Sequence, residues 1–284
     1  MFADERTLQM PELTQLSTPV AAAEKGPFQA WRYLYRLPML LLLGVIGLPI
    51  LLAALLPGIR DLNVHGRGLG YRVQQRYARL LLWVLGVRLK IRGSLPAAPY
   101  LLVANHISWF DIPLLHALEP MWLIAKDGIR SWPLVGFVAR AVGTVFIERG
   151  AESSRKQVAR RMAALLKREQ PIGIFPEAGI SSKRGVGRFH ARLLAPAVRV
   201  GVPIVPVAIR YYRNGDVHAE RVFGPGSNLL SLMLSMMARP PCEGQIMIAP
   251  ALQTVGDDGH PVSRSDLARQ AEAAVRSMYD HAFD

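Results

Sequence analysis

The chain has 284 residues, room for one catalytic-sized domain and an appendage at about 100–200 residues per domain. Its single cysteine, Cys242, excludes a disulfide framework or a Cys-rich zinc module, and 51% hydrophobic against 19% charged residues excludes a disordered chain. Lys and Arg number 34 against 21 Asp and Glu, and the net charge of +13 calls for an anionic counterpart: nucleic acid, a membrane surface or phosphorylated small molecules.

Residues 1–30 carry Pro11, Pro19 and Pro27 with no hydrophobic period and read as a mobile arm. An uncharged run then extends from Leu37 to Ile59, between Arg36 and Arg60, long enough as a helix to match a bilayer's hydrocarbon core of about 30 Å. Pro49 beside Gly47 is expected either to kink a spanning helix or to split it into a re-entrant pair. Trp31, Tyr33 and Tyr35 are placed to anchor one end of it at the membrane interface. The GxGxG cluster of Gly66, Gly68 and Gly70 lacks a preceding strand and reads as a flexible turn. Tyr71 to Leu89 opens on a basic face and closes on an apolar run, which suits an interfacial helix, so 31–92 form one membrane-embedded and interfacial unit.

After Gly93 short apolar runs alternate with helical patterns, the mark of an α/β layer structure with a central, mostly parallel sheet flanked by helices. The predicted strands are Tyr100–Ala104, Trp122–Ala125, Gly143–Ile147, Ile172–Phe175 and Val202–Ile209, with a helix over Glu152–Glu169 as a βαβ crossover. This core spans 93–215. The remainder, 216–284, is expected to complete the domain with strands at Val217–Phe223 and Gln245–Ile248, a packed helix or interface-dipping loop at Leu229–Met237, and a last helix. Ser263 and Asp266 should cap that last helix, with Leu267, Ala271, Ala274 and Met278 as its apolar stripe.

No G-x-S-x-G elbow, P-loop or H-E-x-x-H pair is present, which removes serine hydrolases, P-loop enzymes and zincins from the leading classes. The most informative segment is YLLVANHISWFDIPLL, residues 100–115, in which a strand delivers Asn105 and His106 to its C-terminal end, where ligands of α/β folds gather. Asp111 meets His106 only if Ile107–Phe110 form a turn. Such a carboxylate holds the imidazole in one tautomer and leaves its other nitrogen to accept a proton from a hydroxyl. The alternative makes Asp111 a helix cap beside an ordinary strand-end histidine.

Three further blocks follow in order: GTVFIER at 143–149, FPEAGISS at 175–182 and VPIVPV at 202–207. With NHISWFD at 105–111 they resemble the four motif blocks of the glycerolipid acyltransferases, the 1-acylglycerol-3-phosphate O-acyltransferase (lysophospholipid acyltransferase) family. The resemblance covers about Leu89 to Arg210. It implies that His106 and Asp111 are the catalytic dyad, and that Arg149 and Glu177, with Gly179, Ser181 and Ser182 in the turn, bind substrate. Lys126 resembles a family lysine suited to stabilising an oxyanion. This chain departs from the family's F-P-E-G block by placing Ala178, Gly179 and Ile180 before the serines, and downstream Lys183, Arg184, Arg188, His190 and Arg192 surround Phe189 as a contact for anionic lipid or an acidic carrier.

The expectation is therefore a membrane-bound enzyme that moves a fatty acyl group from acyl-CoA or acyl-carrier protein to a lysolipid hydroxyl. 1-Acylglycerol-3-phosphate is the first acceptor and a lyso-aminolipid such as lyso-ornithine lipid the second, with a catalytically silent lipid-binding scaffold as a further alternative. The family implies no cofactor beyond the acyl donor, and no metal site is expected from the spacing of the histidines. Membrane lipids are expected partners, whereas nucleic acid is not, for want of a reader motif. The anchor and thioester donor imply a membrane enzyme facing the cytoplasm, and the family resemblance implies that the membrane is a bacterial inner membrane.

Overall fold

The structure, a computed structural model, describes residues 29–126, 134–147, 152–177, 186–213 and 229–281. The expected arm, save its last two residues, and the strand at 217–223 lie outside them. Within the described residues one seven-stranded sheet carries the fold. Its strands are β3 (Val87–Arg92), β4 (Leu101–Ala104), β5 (Trp122–Lys126), β6 (Thr144–Ile147), β7 (Ile172–Ile174), β8 (Ile204–Tyr212) and β9 (Cys242–Ile248). The order is β3-β9-β8-β4-β7-β5-β6, and only the β8–β9 pair is antiparallel. A separate hairpin pairs β1 (Asn63–Val64) with β2 (Arg67–Gly68).

The central strands read as continuous apolar runs because both faces are covered: all four residues of β4 and the first eight of β8 are buried. Helix α4 (Asp111–Leu118) leaves the end of β4 and packs on α3 (Leu69–Val84), while α9 (Arg264–Asp280) packs on β8. Helices α5 (Val135–Ala141), α6 (Glu152–Lys167) and α7 (Ala195–Val200) complete the described layers, together with α8 (Leu229–Met237). The crossover through α6 joins β6 to β7, which are not neighbours, since β5 lies between them.

The apolar N-terminal segment is one continuous helix, Ala30–Ala54, long and apolar enough to cross a membrane. It consists of a 3-10 turn (Ala30–Arg32), α1 (Tyr33–Leu42), a π-helical turn (Leu43–Gly47) and α2 (Leu48–Ala54), so Pro49 does not split it into a re-entrant pair. Proline at 49 has no N–H to offer the Val45 carbonyl, and the widened turn just before it accommodates the ring. Leu41, Leu42, Val45, Ile46 and Ile50 all point outward, as a helix surrounded by lipid requires.

Several sequence-based expectations are corrected here. The run to Leu89 is not one helix: α3 stops at Val84, Gly86 turns the chain at φ 83°, and Val87 starts the edge strand β3. The glycine cluster is also tighter than a flexible turn. A Cβ at Gly68 would lie 2.7 Å from the Arg60 carbonyl oxygen, and one at Gly70 would lie 2.8 Å from that of Ala54, so both glycines permit close backbone packing. Ser263 does occupy the N-cap of α9, but its side chain makes no capping hydrogen bond. The buried stripe of α9 is Leu267, Ala268, Ala271, Val275 and Tyr279, with Ala274 and Met278 at its margin.

Part of the basic charge serves the fold itself. Arg36 Nη1 donates to the carbonyls of Met236 (3.1 Å), Met237 (3.1 Å) and Arg239 (2.9 Å), closing the C-terminal end of α8. Arg210 does the same for α9 through Tyr279 (3.1 Å) and His281 (2.6 Å), and Gln75 and Arg79 reach the carbonyls of Leu118 and Ala117 at the end of α4. Helix C-termini carry unpaired carbonyls and partial negative charge, which these cations and amides satisfy. Gln74 Nε2 sits 3.1 Å from both the Val142 carbonyl and His116 Nδ1. Burial pulls His116 down to about 4, so the ring is neutral and Nδ1 accepts from Gln74.

Candidate active site

The site forms where β4 ends. Its ladder with β8 stops at Ala104–Val207, and the next residue continues the pairing with its side chain. Asn105 Nδ2 donates to the Ile209 carbonyl (2.8 Å) while the Ile209 N–H donates to Asn105 Oδ1 (2.7 Å). An amide side chain carries one donor and one acceptor side by side, as a peptide does, so it replaces a backbone partner. The chain is thereby free to turn away at His106.

That turn brings His106 and Asp111 together, with Nδ1 to Oδ2 at 2.8 Å. The same Oδ2 accepts the N–H groups of Ile107 (2.7 Å) and Ser108 (2.9 Å), and Oδ1 accepts the hydroxyl of Tyr211 (2.9 Å). Asp111 is the first residue of α4, one past the N-cap Phe110, and fully buried; its carboxylate holds the N–H groups of the turn that precedes the helix rather than those of the helix's own first turn. The alternative in which Asp111 is an ordinary helix cap is therefore not met: the N-cap is Phe110, and no side chain caps the helix. A carboxylate only accepts, so the imidazole donates from Nδ1 and keeps its lone pair on Nε2. The His106 side chain is 14% exposed, enough to meet a substrate at its edge.

Phe175, just after β7, stacks on the His106 ring with centroids 4.1 Å apart and planes at 15°. This contact joins the NHISWFD and FPEAGISS blocks in space. Glu177 follows two residues on, and a Cβ added at Gly187 would lie 2.9 Å from its Oε2. Both Glu177 oxygens are buried without an aligned hydrogen-bond partner among the described residues. Burial pushes the Glu177 carboxyl up to about 7, against a smaller opposing pull from the backbone of Gly187 and His106. The segment after the turn is held by α9: Glu272 accepts the Phe189 N–H (3.0 Å) and Arg276 donates to the Val186 carbonyl (2.7 Å). Phe189 is buried, whereas Arg188, His190 and Arg192 are exposed around it.

Of the expected site residues, His106, Asp111 and Glu177 are brought to one place. Arg149, Gly179, Ser181 and Ser182 lie outside the described residues, as do Lys183 and Arg184. Lys126 ends β5, paired with Ile147, and only its backbone is described. Sequence reasoning passed over Tyr211. It missed it by ending the strand at Ile209, although alternation along VPIVPVAIRYY puts 207, 209 and 211 on one face. Burial first, then the Asp111 carboxylate, hold the Tyr211 phenol well above its ordinary range, so it stays a donor.

A family model described as Acyltransferase matches residues 87–210. A lyso-ornithine lipid O-acyltransferase of Pseudomonas aeruginosa is 36% identical over 242 residues, 83% of this chain and 89% of that one. A 1-acyl-sn-glycerol-3-phosphate acyltransferase of Neisseria meningitidis is 38% identical over 136 residues, 47% of this chain and 53% of its own. In fold the chain is similar to the crystal structure of the 1-acyl-sn-glycerophosphate (LPA) acyltransferase PlsC from Thermotoga maritima, with a TM-score of 0.63 at 19% identity over 89% of this chain and 97% of that one. Taken with the ordered motif blocks and the histidine–aspartate corner at the end of β4, these likenesses mean that the chain belongs to the glycerolipid acyltransferase family.

Proposed function

We propose that the protein is a membrane-bound O-acyltransferase that esterifies the free hydroxyl of lyso-ornithine lipid with a fatty acyl group taken from acyl-CoA or acyl-carrier protein. The observation that carries the chemistry is the 2.8 Å bond from His106 Nδ1 to Asp111, which leaves Nε2 as the proton acceptor. The acceptor hydroxyl loses its proton to Nε2 as its oxygen attacks the thioester carbonyl. The tetrahedral intermediate then collapses, the C–S bond breaks, and the proton on Nε2 goes to the departing thiolate. Asp111 keeps the ring oriented and stabilises the imidazolium. No covalent enzyme intermediate, metal or cofactor is needed.

The choice of acceptor reverses the order expected from sequence. Likeness to the Pseudomonas aeruginosa enzyme extends over 89% of that enzyme, against 53% for the Neisseria meningitidis enzyme, and the Ala178–Ile180 turn departs from the family's usual block. 1-Acylglycerol-3-phosphate is the second reading, favoured by the 38% identity to the Neisseria enzyme. The apolar helix suits an enzyme whose acceptor and product reside in the bilayer, and we place its catalytic face on the cytoplasmic side, where the acyl thioesters are made.

Purified protein incubated with both lysolipids and either donor, with products read by mass spectrometry, tests the reading. Ornithine lipid as the main product, lost in His106→Ala, supports it. Phosphatidate as the main product replaces the acceptor with the second reading, and acylation that survives in His106→Ala removes the dyad assignment.

A further inference from the structure

Near the dyad, but apart from it, three arginines converge where the membrane helix meets the catalytic domain. Arg213 follows the last residue of β8 and is only 8% exposed. Its Nε and Nη2 are buried with no hydrogen-bond partner among the described residues. Arg239, just past α8, bonds Ser235 Oγ through Nε (3.0 Å), while its Nη1 is buried and unpartnered among the described residues. Arg36 comes from the membrane helix, and its guanidinium packs so closely on Gly86 that a Cβ there would lie 2.7 Å from Nη2.

Cys242 ties the group together. Its N–H donates to the Gly86 carbonyl (2.9 Å), Arg213 acts on its thiol through a hydrogen bond as well as through its charge, and Arg36 acts on it through charge alone. Arg213 in turn repels Arg239, which burial and this neighbour hold below the ordinary guanidinium range. Among the described residues no carboxylate pairs with Arg213 or Arg239. Burying like charges side by side is costly unless a counter-charge with acceptor atoms joins them. Arg36 spends its Nη1 on three helix carbonyls, so Arg213 and Arg239 are the groups with donors to spare.

Position identifies the class of anion. Leu37, the first residue of the apolar run, directly follows Arg36, and Trp31 and Tyr35 are exposed nearby, the belt typical of head-group depth. Tyr211 and Arg213 are two residues apart on β8, hence on the same face and about 6.6 Å apart along the strand at 3.3 Å per residue. Arg213 therefore follows the dyad's tyrosine partner along β8, and Arg36 sets the group beside the start of the apolar run, at the depth of lipid head groups.

We propose that Arg213 and Arg239, backed by Arg36, bind the phosphate or carboxylate of a membrane lipid head group at the foot of the N-terminal helix. Planar guanidinium forks suit either oxyanion. The anion comes from one of two sources, the bilayer's own anionic lipid or the head group of the acceptor; the second source rests on the proposed function, and the first does not.

The test uses the full-length protein, comparing wild type with R213Q and R239Q. In neutral detergent free of anionic lipid, R213Q should melt no lower than wild type, because it removes a buried cation that has no carboxylate partner among the described residues. In phosphatidylcholine vesicles with increasing phosphatidylglycerol, a bilayer-lipid site raises the wild-type melting temperature, and both variants lose that rise. An acceptor site instead leaves the phosphatidylglycerol response flat and raises the acceptor KM about tenfold or more in R213Q with kcat within about twofold, with R213K recovering part of the loss.

A folded R213Q that shows neither effect overturns the proposal. Should the variants fail to fold, 31P NMR of inorganic phosphate and of dioctanoyl phosphatidylglycerol with wild-type protein decides, and binding of neither overturns it. Wild-type protein that binds an anion but acylates no lysolipid would remove the proposed function and leave this site standing.

Discussion

Two carboxylates lie beside His106 and are treated in opposite ways. Asp111 is fully buried and receives four donors, from His106, Ile107, Ser108 and Tyr211. Both Glu177 oxygens are buried and unaligned to any donor among the described residues, and burial lifts the carboxyl to about 7. A carboxylate whose acceptor sites are all filled is fixed, and it fixes whatever it holds. One left buried and unsatisfied is poised to meet a group that arrives. On the proposed function, Asp111 sets the orientation of the base, and Glu177 waits for the hydroxyl or ammonium groups of the acceptor.

The sharpest way to break this comparison is to remove what Asp111 holds. His106→Ala should lower kcat by about 10³-fold or more while vesicle association stays at the wild-type value. A loss of vesicle association alongside activity would mean that the corner is chiefly structural. Next in size, Tyr211→Phe withdraws one donor from a buried oxygen. We expect about 2 kcal/mol of lost stability by denaturant titration. We also expect kcat to fall about tenfold, since a loosened carboxylate orients the imidazole less well.

Glu177 should respond in the opposite sense. Its folded pKa is raised, so the folded state holds the proton more tightly and Glu177 favours folding at low pH. That contribution is lost as pH rises from the ordinary value of 4.5 through about 7. Glu177→Gln should therefore gain melting temperature relative to wild type at pH 8, with the difference shrinking by pH 5. A variant equally altered at both values would show that Glu177 is not titrating in this window. The smallest effect is expected at Ser263, a cap residue by position whose side chain caps nothing. Ser263→Ala should change stability by under about 0.5 kcal/mol, at the bottom of the usual range for a cap.

The same contrast governs what the sequence revealed. The dyad was legible because a strand followed by Asn105 and His106, a short turn and a helix beginning at Asp111 is a local pattern. Tyr211 belongs to the site through an interaction a hundred residues away, and nothing local in RYY distinguishes a buried donor from a surface tyrosine. Asn105 was noticed as a residue at the strand end, but its role depends on the register of β4 against β8, which chain order does not state. β3 was hidden inside the apolar run of α3 because Val87 and Leu89 suit either element, and the left-handed turn at Gly86 decides between them. The stripe of α9 slipped by about one position because alanines at 268, 271 and 274 satisfy several helical registers, and only contact with β8 selects one.

The cap that Arg36 places on α8 makes the hydrophobic helix more than a tether. A soluble version obtained by deleting residues 29–54 would strip the carbonyls of Met236, Met237 and Arg239 of their shared donor, and Leu234 of the Tyr33 hydroxyl. It would also uncover the surface around Gly86 at the start of β3. The lost partners close the end of α8 and cover the start of the edge strand β3, so truncation would damage the catalytic domain it was meant to release. Biochemical work on this enzyme is better served by lipid nanodiscs than by shortening the chain.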